Sequence, residues 1–122
     1  MTNPTTVFVS GIFNVLHPGH LRLFKFAREL GEHLVIGVLS DHLAAEAAQV
    51  PQDLRLEGVG ANNYVDEVLL VDVPVESVVK QLRPDFVVKG REHELHLNPE
   101  LEVLDEYGGQ LVFSSGEAVF SS

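Results

Sequence analysis

The sequence predicts an α/β fold, a doubly wound parallel sheet between helical layers in a Rossmann-like three-layer sandwich. Short β-branched runs alternate with helical stretches along the whole chain. The first strand, helix and second strand follow one another closely enough to form a βαβ unit, which should cross over right-handed into a parallel sheet. The 122 residues, 45% hydrophobic and 21% charged, suit one compact domain with a real core.

The elements follow in order. Thr5 to Ser10 is β-branched and aromatic and ends at Gly11, which reads as a buried strand. Pro18 to Leu30 is helical, with Pro18 suited to the first turn and Gly31 to the C-terminal cap. Leu23, Phe24, Ala27 and Leu30 form its apolar stripe, and Arg22, Lys25, Glu29 and Glu32 its polar face. His33 to Leu39 is the second strand, closed by Ser40-Asp41 as an N-cap pair. Asp41 to Gln49 is Ala-rich and reads as a short helix, and Pro51 to Asn62 as another, interrupted by Gly58 and Gly60. Val68 to Val71 is a strand, Val75 to Leu82 a helix stopped by Pro84, and Phe86 to Val88 a strand. A polar loop runs from Lys89 to Leu97. Asn98-Pro99 opens a last helix, Tyr107-Gly108-Gly109 closes it, and Leu111 to Phe113 is the final strand. The acidic cluster Glu100, Glu102, Asp105 and Glu106 reads as the wet face of that helix.

Composition narrows the function classes. A net charge of −10, from 8 basic and 18 acidic residues, repels a polyanion and argues against nucleic acid as a partner. The sequence has no cysteine, so disulfides and thiolate metal sites are excluded. No apolar run is long enough to span a bilayer, and the first residues lack the regions of a signal peptide, so a cytoplasmic chain without a membrane partner is expected.

The segment Gly11 to His20 joins the first strand to the first helix, where ligands bind in doubly wound sheets. A helix N-terminus offers unpaired N–H groups and partial positive charge to a phosphate. Gly11 and Gly19 would let a phosphate approach the backbone. His17 and His20, three residues apart, should project to the same side and donate hydrogen bonds to phosphoryl oxygens. Lys89 and Arg91 flank Gly90 at a strand end and are candidates for binding a phosphate. His93-x-x-His96 has metal-like spacing but lies in a loop, so no protein-held metal site is expected.

Gly11-x-Phe13-x-x-x-His17-x-Gly19-His20 resembles the signature of the HxGH nucleotidylyltransferase superfamily. The resemblance is strongest to the glycerol-3-phosphate cytidylyltransferase group and to the heptose-phosphate adenylyltransferase domain. It extends through Ser40-Asp41, Arg55, Tyr64 to Val68, Arg83 to Gly90, and Gly108-Gly109. It implies a nucleotidyltransferase passing CMP or AMP from CTP or ATP, with CTP slightly favoured, to a phosphorylated polyol or sugar, with release of pyrophosphate. By resemblance, His17 and His20 are catalytic. Ser10, Gly11, Ile12, Phe13, Asn14, Gly19, Lys89, Gly90, Ser121 and Ser122 contact the nucleotide, and Arg55, Arg91 and Glu92 the acceptor. Mg²⁺ accompanies the triphosphate, and the chain pairs as a homodimer. Arg55 has a competing reading as a surface ion pair with Glu57 or Asp53.

Departures from the pattern are specific. Ile12 and Asn14 stand where Thr or Cys and Asp are frequent, and Ala44 to Ala48 lacks the lysines of the glycerol-phosphate enzymes. The C-terminal arginine is absent too, and the chain stops at Ser121-Ser122, where a helix N-terminus should begin. A piece cut from a longer protein, by analogy one fused to a sugar kinase, is therefore expected. The alternative function is a degenerate nucleotide-binding module without turnover, regulatory to such a partner; a metal-dependent binding protein using His93 and His96 is a third.

Overall fold

The computed structural model describes residues 4–90, 98–114 and 118–119. Five parallel strands form the sheet: β1 (Thr6–Gly11), β2 (His33–Leu39), β3 (Glu67–Val71), β4 (Phe86–Lys89) and β5 (Gln110–Phe113). A two-residue strand, β6 (Ala118–Val119), lies antiparallel beside β5. The order is β3-β2-β1-β4-β5-β6, so the winding reverses between β1 and β4. At that reversal the connections leave for opposite faces, and a crevice opens beyond the carboxyl ends of the two strands.

Alternating side chains along the strands feed the two faces. Val7 and Val9 of β1, with Leu34, Ile36 and Val38 of β2, pack against Phe24 and Ala27 of α1 (Pro18–Leu30) and Val59 of α3 (Gln52–Gly60). Phe8, Val35 and Val87 face the other way, onto Val79 of α4 (Val75–Leu82) and Leu104 of α5 (Glu100–Tyr107). Each buried Phe, Leu or Val contributes about 1.5–3 kcal/mol, so two covered faces hold the strands rigidly where the site is built. Gly37 leaves room for this packing: a Cβ there would lie 2.7 Å from the Phe8 ring and 2.8 Å from Val71.

Element boundaries agree with the sequence reading to within a residue or two, with three differences. Asp41 to Gln49 is not one helix. α2 (Asp41–Ala44) stops at Ala45, whose φ of 50° turns the chain before a short 3₁₀ turn (Ala45–Ala47). Gly31 ends α1 with extended backbone, φ −158°, so left-handed freedom is not what requires glycine. A Cβ there would meet Thr5 O at 2.7 Å, where β1 and the start of β2 approach closely. Finally, Glu100 is not on the wet face of α5: it is 3% exposed, while Glu102, Asp105 and Glu106 are exposed as expected. Among the described residues, no helix is long and apolar enough to cross a membrane.

Candidate functional site

The connection from β1 to α1 carries the candidate site. Phe13 adopts φ 55°, a left-handed conformation uncommon for a bulky residue. The turn drives its ring inward to 7% exposure, edge-on to Phe24 (5.5 Å) and to His20 (5.4 Å). The contact explains Gly11 better than phosphate access does, since a Cβ at residue 11 would lie 2.8 Å from the Phe13 ring. Gly19 is required in the same way by the His17 ring, again at 2.8 Å.

His17 is the N-cap of α1, and its Nδ1 accepts the Gly19 N–H at 3.1 Å. His20 reciprocates, its Nδ1 accepting the His17 N–H at 3.3 Å. The two side chains form a capping box with imidazoles in place of the usual hydroxyl and carboxylate. Their centroids are 3.9 Å apart, so the structure brings the pair together as the spacing predicts. Because each Nδ1 is an acceptor, the neutral rings carry their proton on Nε2. His17 thereby turns its Nε2–H outward at a helix tip that is itself electropositive.

A crevice of about 520 Å³ lies at the β1/β4 reversal, lined by Ser10, Gly11, Ile12, Phe13, Asn14 and His20 from the first unit and by Val88, Lys89 and Gly90 from β4. These are most of the expected nucleotide contacts, gathered from two separate stretches of chain. Gly19 and His17 line a smaller adjoining cavity. Lys89 donates to Asn98 Oδ1 at 2.7 Å and pairs with buried Glu100. An ammonium has three N–H donors, and among the described residues Asn98 and Glu100 take two of them.

Two predicted contacts turn out to be occupied with holding loops. The Asn14 amide donates to Ala47 O at 2.8 Å and accepts from Gln49 N at 2.7 Å and Val50 N at 3.2 Å. Arg55 is 1% exposed. It donates to Val50 O (2.7 Å), Ile12 O (2.8 Å), Leu39 O (2.6 Å) and Asp41 Oδ1 (2.7 Å). Its partner is thus Asp41, not Glu57 or Asp53, and its burial beneath Ile12 keeps it from the surface where an acceptor would arrive. The Arg55 hydrogen bond, reinforced by the Gln52 N–H, holds the Asp41 carboxyl below its ordinary value. Sequence reasoning also missed Glu100 as the counter-charge of Lys89, and Arg22, which lines the smaller cavity. Arg91, Glu92, His93, His96, Ser121 and Ser122 lie outside the described residues.

Known proteins carry the same pattern. The cytidylyltransferase-like family model matches residues 8–111. The chain is 34% identical over 105 residues to the FAD synthase of Methanosarcina acetivorans, covering 84% of this chain and 67% of that protein. It is 38% identical over 98 residues to the bifunctional protein HldE of Campylobacter curvus, covering 72% of this chain. It spans only 20% of that relative's length, and 23% of the HldE of Gluconobacter oxydans. The fold is similar to that of the lipopolysaccharide core biosynthesis protein from Thermoplasma volcanium, with TM-score 0.79 and 21% identity over 97% of this chain and 100% of that one. With the histidine pair, the switch-point crevice and a family match running from β1 to β5, the chain belongs to the cytidylyltransferase-like family of the nucleotidylyltransferase superfamily.

Proposed function

We propose that the chain transfers a nucleotidyl group from a nucleoside triphosphate to a phosphorylated polyol or sugar. The observation that carries this reading is the imidazole pair locked at the tip of α1, beside the crevice between β1 and β4. An acceptor phosphate oxygen attacks the α-phosphorus and forms the new P–O–P link. The bond to the α,β-bridging oxygen breaks, and its electron pair leaves on pyrophosphate. The Nε2–H groups of His17 and His20 donate to the oxygens on which charge accumulates. Both rings are already fixed through Nδ1, so they need no reorganisation as the charge develops. Catalysis is then positioning plus electrostatics.

ATP is the favoured donor over CTP. FAD contains an adenylyl half, and the FAD synthase relative covers most of this chain. Mg²⁺ enters as part of the substrate, held by phosphate oxygens and water. The crevice lining supplies hydroxyl, amide, imidazole and ammonium groups, and among the described residues no three His or acidic side chains form a metal cage.

The competing reading is a nucleotide-binding module without turnover. Lys89, whose charge is already answered by Glu100, favours it. Pyrophosphate release separates the two. The chain, and any longer protein containing it, is incubated with Mg²⁺, ATP or CTP, and a panel of polyol and sugar phosphates. Release that depends on one acceptor supports the transferase; nucleotide binding without release from any acceptor supports the module.

A further inference from the structure

Residues 45–49 connect α2 to α3 in a conformation that their own sequence does not ask for. Ala45 has φ 50° and ψ −126°, backbone that glycine adopts freely and a residue with a Cβ only under strain. Its side chain is exposed, so burial of the methyl group is not what holds it there. Both ends of the segment are anchored without it. Ser40 Oγ accepts the Leu43 N–H at 3.1 Å, the Asp41 N–H donates to Gln52 Oε1 at 2.9 Å, and the Gln52 N–H to Asp41 Oδ2 at 3.2 Å. Arg55 holds both Asp41 and Val50 O. Between these anchors, the tie to the rest of the fold is the Asn14 carboxamide. Its Nδ2 donates to Ala47 O, and its Oδ1 accepts from Gln49 N and Val50 N. Asn14 lines the main crevice, and none of residues 45–49 does.

We propose that residues 45–49 form a strap with a tied and a released state, and that a nucleotide in the crevice selects the tied state through Asn14. The nucleotide half rests on the function proposed above. Strain at Ala45 favours release, and the three Asn14 bonds oppose it with energies of the same order. A carboxamide offers two N–H donors and two acceptor lone pairs. Among the described residues, the strap takes both acceptor positions and one donor. The second donor serves a phosphate oxygen in the crevice. That bond is charge-assisted and adds to the other three, whereas swinging the amide away from the strap would forfeit three bonds to gain one. Bound nucleotide therefore fixes the amide plane and, with it, the strap. A carboxylate at residue 14 could not do so, because it has no N–H for either partner.

The test is amide hydrogen exchange at Gln49 and Val50, followed by NMR in the full chain and its A45G, N14A and N14D variants. Each is measured alone and with saturating ATP or CTP and Mg²⁺, and calorimetry establishes binding. In the free chain, N14A should exchange both amides about tenfold faster, on losing their acceptor. A45G, which relieves the strain and leaves Asn14 in place, should exchange them about tenfold more slowly. Nucleotide should slow both amides about tenfold further in wild type and A45G, but not in N14D, which keeps the acceptor bonds and lacks the N–H. Unchanged or faster exchange in A45G would remove the two-state strap. Nucleotide that binds wild type without slowing these amides, or slows them equally in N14D, would refute the latch and leave the transferase reading standing. A chain that binds neither nucleotide would refute that reading together with the latch, and A45G would still decide whether the strap exists.

Discussion

The proposed reaction gives the His17 ring a second task beside its cap, and the two can be separated. Its Nδ1 caps α1 through the Gly19 N–H, while Nε2 is left to donate. His17→Asn retains a cap acceptor and removes the donor, so Tm should hold while kcat falls about a hundredfold, the usual loss for one transition-state donor. His17→Ala should lose the cap as well, at a cost of about 1 kcal/mol. Equal kcat for His17→Asn and wild type would take His17 out of the chemistry. Glu100 is the second residue with a separable effect. Glu100→Ala strands the Lys89 ammonium in a mostly buried setting and should cost about 3 kcal/mol in urea unfolding, whereas replacing both partners by Met and Leu should recover most of that loss. The histidine pair was legible because its geometry is set within four residues. Glu100 was not, because its acidic neighbours suggest a wet surface, although its place four residues before Leu104 puts it on the buried face of α5, and only tertiary packing brings Lys89 to it.

At the scale of elements, the strand-helix alternation was readable since burial on two faces demands continuous apolar strands and striped helices. The break after α2 was hidden, because alanine is the best helix former and nothing local announces a positive φ at Ala45. What bends the chain there is long-range. Asn14 seizes Ala47, Gln49 and Val50, and Arg55 seizes Val50, Leu39 and Ile12, so the α2–α3 connection is tied to the floor of the crevice. Asn14→Ala should therefore destabilise the chain by about 1–2 kcal/mol, the cost of unpairing these backbone groups. Asn14→Asp, which keeps the two bonds from Gln49 and Val50, should lose less. The comparison is of urea midpoints, and an Asn14→Ala midpoint equal to wild type would show that the tie carries no weight. A sequence read one segment at a time favours phosphate for Asn14 because its actual partners are more than thirty residues away.

For the whole molecule, Tyr107 reports on the packing of α4 and α5. Its hydroxyl donates to Pro84 O at 2.7 Å, and burial pushes it from the ordinary 10.0 up to about 12, against the opposing pull of Arg83. The folded chain thus favours the neutral phenol more than the unfolded chain does. That contribution to stability is complete below pH 10 and drains as pH climbs toward 12. Thermal unfolding followed from pH 9 to 12 should show an alkaline decline that Tyr107→Phe lacks; parallel curves would exclude Tyr107 as its source. The charge layout has a further result for kinetics. Arg28, Arg55 and Lys89 are spent on carboxylates of the same chain. An incoming anionic nucleotide therefore climbs a repulsive potential and is rewarded only over the last few ångströms. Added electrolyte shortens the reach of that repulsion, so encounter should quicken as ionic strength rises, the reverse of a site that draws in its anion from afar.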